Sequence, residues 1–342
     1  MKFARALFCG LLLASSALAL PAQVGLGGIR HEYQRLNNCG PATLGMVMSR
    51  WGGAQNQYDI APKLKPNKSD KNVSPDELAA YARAQGYAAF LGVAGDLGTV
   101  KTLVAAGFPV IVETWFVTGE EGGMGHYRLV NGFDDAQGEL RALDSYYGPK
   151  VTMRYADFTR LWRGFGNTFL VVAPRAKAAQ VRALLGGRAD PKAMWRHALA
   201  QAGRETAAKP QDPFGWFNLG TAQLRLGDAR AAAASFDRAR GVTPDAALDP
   251  TRPARVRGGL PWRMLWYQFG PLEAYTRVGR SADVLALTNT VLRDAPDHEE
   301  ALYWRGRALA ALGKPGQART DFQTALRLRP GYVAARDALK RL

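Results

Sequence analysis

The sequence predicts an α+β domain followed by an all-α array of helical repeats. Three observations predict it. From residue 23 to about 175, some stretches alternate apolar and polar residues at strand spacing and others recur at helix spacing. From about 176 to 342, helix spacing persists throughout. In that second half a spaced pattern of Gly, Ala, Phe, Ala and Pro occurs twice, ending at Pro244 and again at Pro330. At 342 residues the chain exceeds the ~100–200 of one ordinary domain. With 47% hydrophobic and 22% charged residues it has a globular rather than a disordered composition. Two Cys exclude a disulfide framework and a multi-cysteine zinc site, and four His limit any histidine metal cluster. No metal and no cofactor is expected.

The first element is a targeting segment. Lys2 and Arg5 precede a mostly apolar stretch, Ala6 to Leu20, too short for a comfortable membrane span. Ala17-Leu18-Ala19 fits the small-x-small cleavage rule, and a cut after Ala22 is the other option. Residues 1–22 are therefore read as a signal peptide, and the mature protein as exported, with no stable membrane span after cleavage. Cleavage removes Cys9 and leaves Cys39 as the mature chain's one thiol. A lone thiol in an exported protein makes no internal disulfide, and a free reactive thiol needs a reason.

The domain expected over 23–175 opens with that reason. Leu44, Val47, Met48 and Trp51 recur at helix spacing, Gly52-Gly53 ends the helix, and Gly40-Pro41 begins it. Cys39 is thereby placed at a helix N-terminus, where free N–H groups and the helix dipole favour a thiolate and lower the thiol pKa. Gln34 lies five residues upstream. With the Cys39 N–H, its amide would hold the oxyanion of a tetrahedral intermediate. The base is assigned to His126, which follows the loop-like Gly122-Gly123-Met124-Gly125 and opens an alternating strand. A second strand, Leu140 to Asp144, pairs with it and places Asp144 beside the imidazole as its orienting carboxylate. Asp134 and Asp135, in the turn, are the alternative carboxylates. His197 and His298 fall on helices of the second half and read as surface or packing residues; His31 reads as a loop residue.

These residues resemble a family. Gln34, Asn38-Cys39-Gly40-Pro41-Ala42, Gly125-His126-Tyr127 and Leu143-Asp144 resemble the papain-like cysteine peptidases of the bacteriocin-processing, double-glycine type, and more closely their stand-alone secreted relatives. The resemblance covers about residues 28–175. It implies Cys39 as nucleophile, His126 as base, Asp144 as orienting residue and Gln34 as oxyanion donor. Ser145 follows Asp144 where such proteins often have Pro, and no transporter or ATP-binding segment is present.

The rest of this half reads as scaffold. Ser74-Pro75-Asp76-Glu77 forms a capping box that opens a helix over 77–85. Asp96 caps a helix over about 97–106, residues 108–115 form a buried strand, and 167–173 a closing strand. Glu113 is read as a solvated strand end, and Lys63, Lys65, Lys68 and Lys71 as a solvated basic loop.

Residues 176–212 are read as a helical linker or degenerate repeat. Residues 213–342 resemble tetratricopeptide repeats: Gly220, Ala232, Phe236, Ala239 and Pro244 match Gly306, Ala318, Phe322, Ala325 and Pro330 in spacing. Pro296 closes a degenerate middle unit with Tyr275 and Leu285. An Arg-, Gly- and Pro-rich insertion spans about 245–262, and 331–342 caps the array. Such arrays bind peptides. Residues 23–175 carry 16 Lys+Arg against 14 Asp+Glu, and 176–342 carry 27 against 15. That excess favours acidic segments as partners; nucleic acid is not expected in an exported chain with no nucleic-acid motif. The expected function is an exported cysteine peptidase that hydrolyses peptide bonds in peptide or protein substrates, with the repeats as a separate binding arm. The alternatives are a non-catalytic peptide-binding scaffold with a degenerate peptidase domain, and an acyl transferase using the same thiol.

Overall fold

The computed structural model describes residues 20–118, 122–241 and 260–342. The signal segment with Cys9 lies outside the described residues up to 19, and the expected insertion lies outside them up to 259.

The first half is one antiparallel sheet with helices on both faces. Its strands are β1 (Gln23–Gly25), β2 (Tyr87–Gly92), β3 (Val110–Thr118), β4 (Gly122–Asp134), β5 (Glu139–Asp144), β6 (Gly148–Arg154) and β7 (Phe169–Pro174), in the order β2-β7-β3-β4-β5-β6, with β1 on β4. Helices α1 (Cys39–Ser49), α2 (Gln57–Leu64) and α3 (Pro75–Ala84) bury Leu44, Ile60 and Leu78 against one face, on Ile111, Tyr127 and Leu129. Helices α4 (Leu97–Ala105), α5 (Tyr155–Trp162) and α6 (Ala178–Leu185) bury Val104, Trp162 and Val181 against the other, on Val112, Val130 and Val171. Strand alternation thus sorts each strand's residues between two cores. The expected caps are present: the Ser74 hydroxyl accepts from Glu77 N while the Glu77 carboxylate takes the Ser74 N–H, and Asp96 accepts from Thr99 N.

Several elements differ from expectation. Gly122 to Gly125 is strand, not loop: Trp115 pairs with Gly125 and Phe116 with Met124, so β3 and β4 form one long hairpin and His126 lies inside it. Strands β2 and β6 and helices α2 and α5 have no counterpart in the sequence reading. Lys65 is buried, not solvated. Its ammonium donates to the carbonyls of Leu36, Asn37 and Asp70 and so ties down the chain that leads into α1.

The second half is helical: α7 (Pro191–Ala208), α8 (Pro213–Arg225), α9 (Ala229–Gly241), α10 (Gly270–Arg277), α11 (Ser281–Asp294), α12 (Glu299–Ala311), α13 (Pro315–Leu328) and α14 (Val333–Lys340). The repeated Gly and Phe explain the close approach of paired helices. A Cβ on Gly220 would lie 2.9 Å from the Phe236 ring, and one on Gly306 would lie 2.6 Å from Phe322. Only glycine leaves room for the ring that fills each pair.

The repeats are not a detached arm. Trp115 and Phe165 of the first half share a core with Phe214, Phe217 and Tyr267 of the second. Around that core Gln268 Nε2 donates to Gly164 O (2.7 Å), Arg263 Nη1 to Gly123 O (3.2 Å) and Asn218 Nδ2 to Arg163 O (3.1 Å). Farther along, Arg163 pairs with Asp212, Arg329 with Glu77, and Lys71 with Asp297 (3.3 Å). A cavity of about 780 Å³ remains between the two halves, bordered by Glu113, Phe165, Trp195, Tyr267 and Trp304.

Candidate active site

Cys39 is the first residue of α1, behind Asn38, whose amide donates to Gln57 Oε1 (3.1 Å). Gly40 packs flat against Tyr127: a Cβ there would touch the ring at 3.4 Å. The helix start is therefore pressed onto β4. Strand β5 ends at Asp144, paired with Arg128, so from Tyr127 back toward Gly122 the β5 side of β4 has no strand partner among the described residues. The Cys39 thiol occupies this free edge and faces the Tyr127 backbone N–H. It lies one residue along β4 from His126.

His126 and Asp144 are brought together. His126 Nε2 lies 3.0 Å from Asp144 Oδ1, and both are buried. The other carboxylate oxygen accepts from Arg128 Nε at 2.7 Å, and Oδ1 also accepts from the N–H groups of Tyr146 (2.7 Å) and Tyr147 (3.0 Å). Burial opposes the charge of Asp144. The His126 hydrogen bond, the charge of Arg128 and the Tyr147 N–H outweigh it and hold the carboxyl well below the usual carboxylate range. Phe116 stacks over the imidazole with centroids 4.6 Å apart. Burial, aided by Arg128, lowers the His126 pKa despite Asp144, so at neutral pH the ring is uncharged. With Nε2–H directed at Asp144, Nδ1 carries the lone pair. Among the described residues Nδ1 has no hydrogen-bond partner, and no hydrogen bond joins it to the thiol.

Gln34 runs beside the end of β5. Its N–H donates to Ser145 O (2.8 Å), and its side-chain Oε1 accepts from Ser145 Oγ (2.8 Å). Ser145 thereby fixes which end of the amide is free: Nε2 is left to donate. His31 Nε2 donates to the Asp144 carbonyl (2.9 Å) and so braces the same turn. Tyr33, Leu36, Tyr58, Tyr146 and Tyr147 form an exposed, largely aromatic rim here. Asp134 and Asp135 are held elsewhere, by Gln23 and Arg141 and by Lys101 and Tyr155 respectively.

The thiol departs from expectation. Cys39 is half-buried, but its sulfur is enclosed, and burial pushes its pKa up to about 11. The N–H groups of Tyr127 and Gly40 pull it down, and Glu113 and Asp144 push it up again. The helix start supplies one stabilising N–H, that of Gly40, and β4 supplies the other from Tyr127, yet desolvation exceeds both. Glu113 is likewise not a solvated strand end. It is 5% exposed, and burial raises its pKa to about 8. It belongs to both the cavity and the surroundings of Cys39. So does Tyr267, from the helical half: burial raises its pKa, and Cys39, Gly125 N–H and Glu113 all act on its hydroxyl. Sequence reasoning missed Arg128, Ser145 and Tyr267. Alternation does put Arg128 on the His126 face, but nothing in the sequence brings Tyr267 here from 228 residues beyond Cys39.

A family model described as Peptidase_C39 like matches residues 27–169, and a tetratricopeptide repeat model matches 299–332. The chain thus joins a C39-like peptidase domain to a tetratricopeptide region. This pairing points to a peptidase or peptide-binding role, with peptides or proteins as partners. Among solved structures it is similar to a protein described as a C39-like peptidase from Bacillus anthracis, at 15% identity over 45% of this chain and 98% of that one, with a TM-score of 0.37. It is also similar to the peptidase domain of Streptococcus ComA, a bi-functional ABC transporter involved in quorum sensing, at 18% over 44% and 100%, with a TM-score of 0.35. A third is YrrB, a tetratricopeptide protein with an unusual peptide-binding site, at 19% over 49% and 77%, with a TM-score of 0.35. No curated protein matches the chain.

Proposed function

We propose that this chain, a C39-like domain joined to tetratricopeptide repeats, is an exported cysteine peptidase that cleaves peptide bonds with Cys39, His126, Asp144 and Gln34. The observation that carries the reading is the buried His126–Asp144 pair, 3.0 Å apart, one residue along β4 from the Cys39 thiol at a helix start. A raised thiol pKa and a lowered imidazole pKa describe a resting pair in which both are neutral. The reaction then starts by general-base catalysis. As the substrate brings thiol and imidazole into hydrogen-bond contact, the proton of Cys39 moves to His126 Nδ1 and sulfur bonds to the carbonyl carbon. The carbonyl oxygen, now an oxyanion, accepts from Gln34 Nε2 and the Cys39 N–H. His126 returns the proton to the departing amine as the C–N bond breaks. Water, deprotonated by the same imidazole, then releases the acid and restores the thiol. Asp144, held ionised by Arg128, keeps the ring in the required tautomer.

The exposed aromatic rim beside Gln34 fits apolar side chains of a bound peptide. The acidic-partner reading now concerns the outer surface of the repeats, because the inner cavity mixes Asp76, Glu205 and Glu273 with Arg83 and Arg225. A peptide-library digest tests the function. The mature protein should release new termini, Cys39→Ala should release none, and Gln34→Ala should turn over about 100- to 1,000-fold more slowly while folding normally. Equal digestion by all three would overturn the reading.

A further inference from the structure

Where the halves meet, among residues that take no part in the proposed hydrolysis, three carboxylates are buried together. Asp70 comes from the chain between α2 and α3. Glu299 and Glu300 open α12. Their relative exposures are 3%, 0% and 6%. One oxygen of each lies within 4.8 Å of the others. Each carboxylate is half satisfied. Asp70 Oδ1 accepts from Asn72 N (2.8 Å), Glu299 Oε2 from Asn67 Nδ2 (3.2 Å) and Glu300 Oε1 from Arg329 Nη1 (3.4 Å). The second oxygen of each, Asp70 Oδ2, Glu299 Oε1 and Glu300 Oε2, is buried.

His298 reaches one of the three: its Nδ1 lies 3.3 Å from Glu300 Oε2, while its Nε2 donates to Trp266 O. Asp70 Oδ2 and Glu299 Oε1 have no hydrogen-bond partner among the described residues. Lys65 spends its ammonium on backbone carbonyls, including that of Asp70. Orphan buried oxygens of one sign, converging from two parts of the chain, are costly without a cation.

We propose that Asp70, Glu299 and Glu300 bind a divalent cation of the calcium class, which clamps the repeat array onto the sheet domain. The donors are all hard oxygens, as such an ion prefers, and oxygen atoms 4.8 Å apart are spanned by metal–oxygen bonds of about 2.4 Å. The already paired oxygens act as the hinges of the site: Asn67 and Arg329 orient Glu299 and Glu300 through hydrogen bonds and leave the other oxygens to the ion. The ion joins residues that the Lys71–Asp297 and Arg329–Glu77 pairs already hold at the same seam.

The test uses the full mature protein stripped with a chelator. Added Ca²⁺ should raise the melting temperature and bind saturably by calorimetry, with Mg²⁺ and Mn²⁺ as comparison ions. Glu299→Gln should lose this binding. Asn67→Ala, which keeps all three carboxylates, should weaken it by about 10- to 100-fold. Cys39→Ala should bind like the parent, which separates this result from that of the hydrolysis assay. The proposal is overturned if none of these ions, up to about 1 mM, binds or stabilises the stripped protein. It is equally overturned if Asp70→Asn raises the melting temperature and cations never shift that of the parent, because the carboxyls then merely share protons.

Discussion

Glu113 shows how one side chain alters the chemistry of its neighbour. Burial raises its pKa to about 8, so it is a neutral acid at neutral pH and an anion above that. As an anion it opposes ionisation of Cys39. Glu113→Gln removes that charge, so the midpoint of iodoacetamide labelling of Cys39 should fall from a starting value above the free-thiol ~8.5. An unchanged midpoint would mean that Glu113 does not face the thiol. Glu113 also links stability to pH. Its carboxyl would release its proton near the ordinary 4.5 when unfolded but near 8 when folded. Between those values the folded state holds a proton that the unfolded state lacks, so its contribution is full below about 4.5 and declines toward pH 8. The slope is about 1.4 kcal/mol per pH unit. Urea unfolding of the parent and Glu113→Gln at pH 5, 6, 7 and 8 should differ by that slope.

At the scale of elements, the turn from β5 to β6 organises the site. Asp144 serves His126, Arg128 and two turn N–H groups at once, and Ser145 sets the Gln34 amide. Asp144→Ala leaves Arg128 buried without its carboxylate and should destabilise the protein by about 3–5 kcal/mol. Asp144→Asn, which still accepts from the turn, should lose less stability while slowing turnover; calorimetric melts and peptide assays on both variants check this. Ser145→Ala frees the Gln34 side chain for the loss of a hydrogen bond worth about 1 kcal/mol, roughly fivefold in turnover. Ser145→Thr retains the hydroxyl and should restore the rate, which a purely structural defect would not allow. The residue that departs from the usual Pro thus has a positive task here.

For the whole molecule, the shared core decides behaviour. Trp115 and Phe165 are 2% and 3% exposed because helices of the second half cover them. The chain should therefore unfold in one transition, with far-UV dichroism and tryptophan fluorescence coincident. Two separated transitions would restore the picture of a detached arm. Removing residues 213–342 should bare both aromatics and take Tyr267 from beside Cys39, so the truncated protein should lose solubility and small-peptide hydrolysis together. No helix among the described residues is long and apolar enough to cross a membrane.

What the sequence alone determined is what local pattern encodes. Cys39 before Gly-Pro marks a helix start, His126 and Asp144 fall on strands that a short turn forces to pair, and the spacing from Gly306 to Phe322 dictates a ring against a glycine. Those relations need only a few residues and a period of 2 or about 3.6. The tertiary structure decided everything that depends on what surrounds a group. The thiol's acidity turned on enclosure, which overrode the helix start. Lys65 and Glu113 look solvated as sequence and are buried by segments distant in the chain. Tyr267 and Glu299 reach the first half only because the array folds back onto it. Desolvation and long-range charge are sums over neighbours, and the sequence does not order neighbours in space.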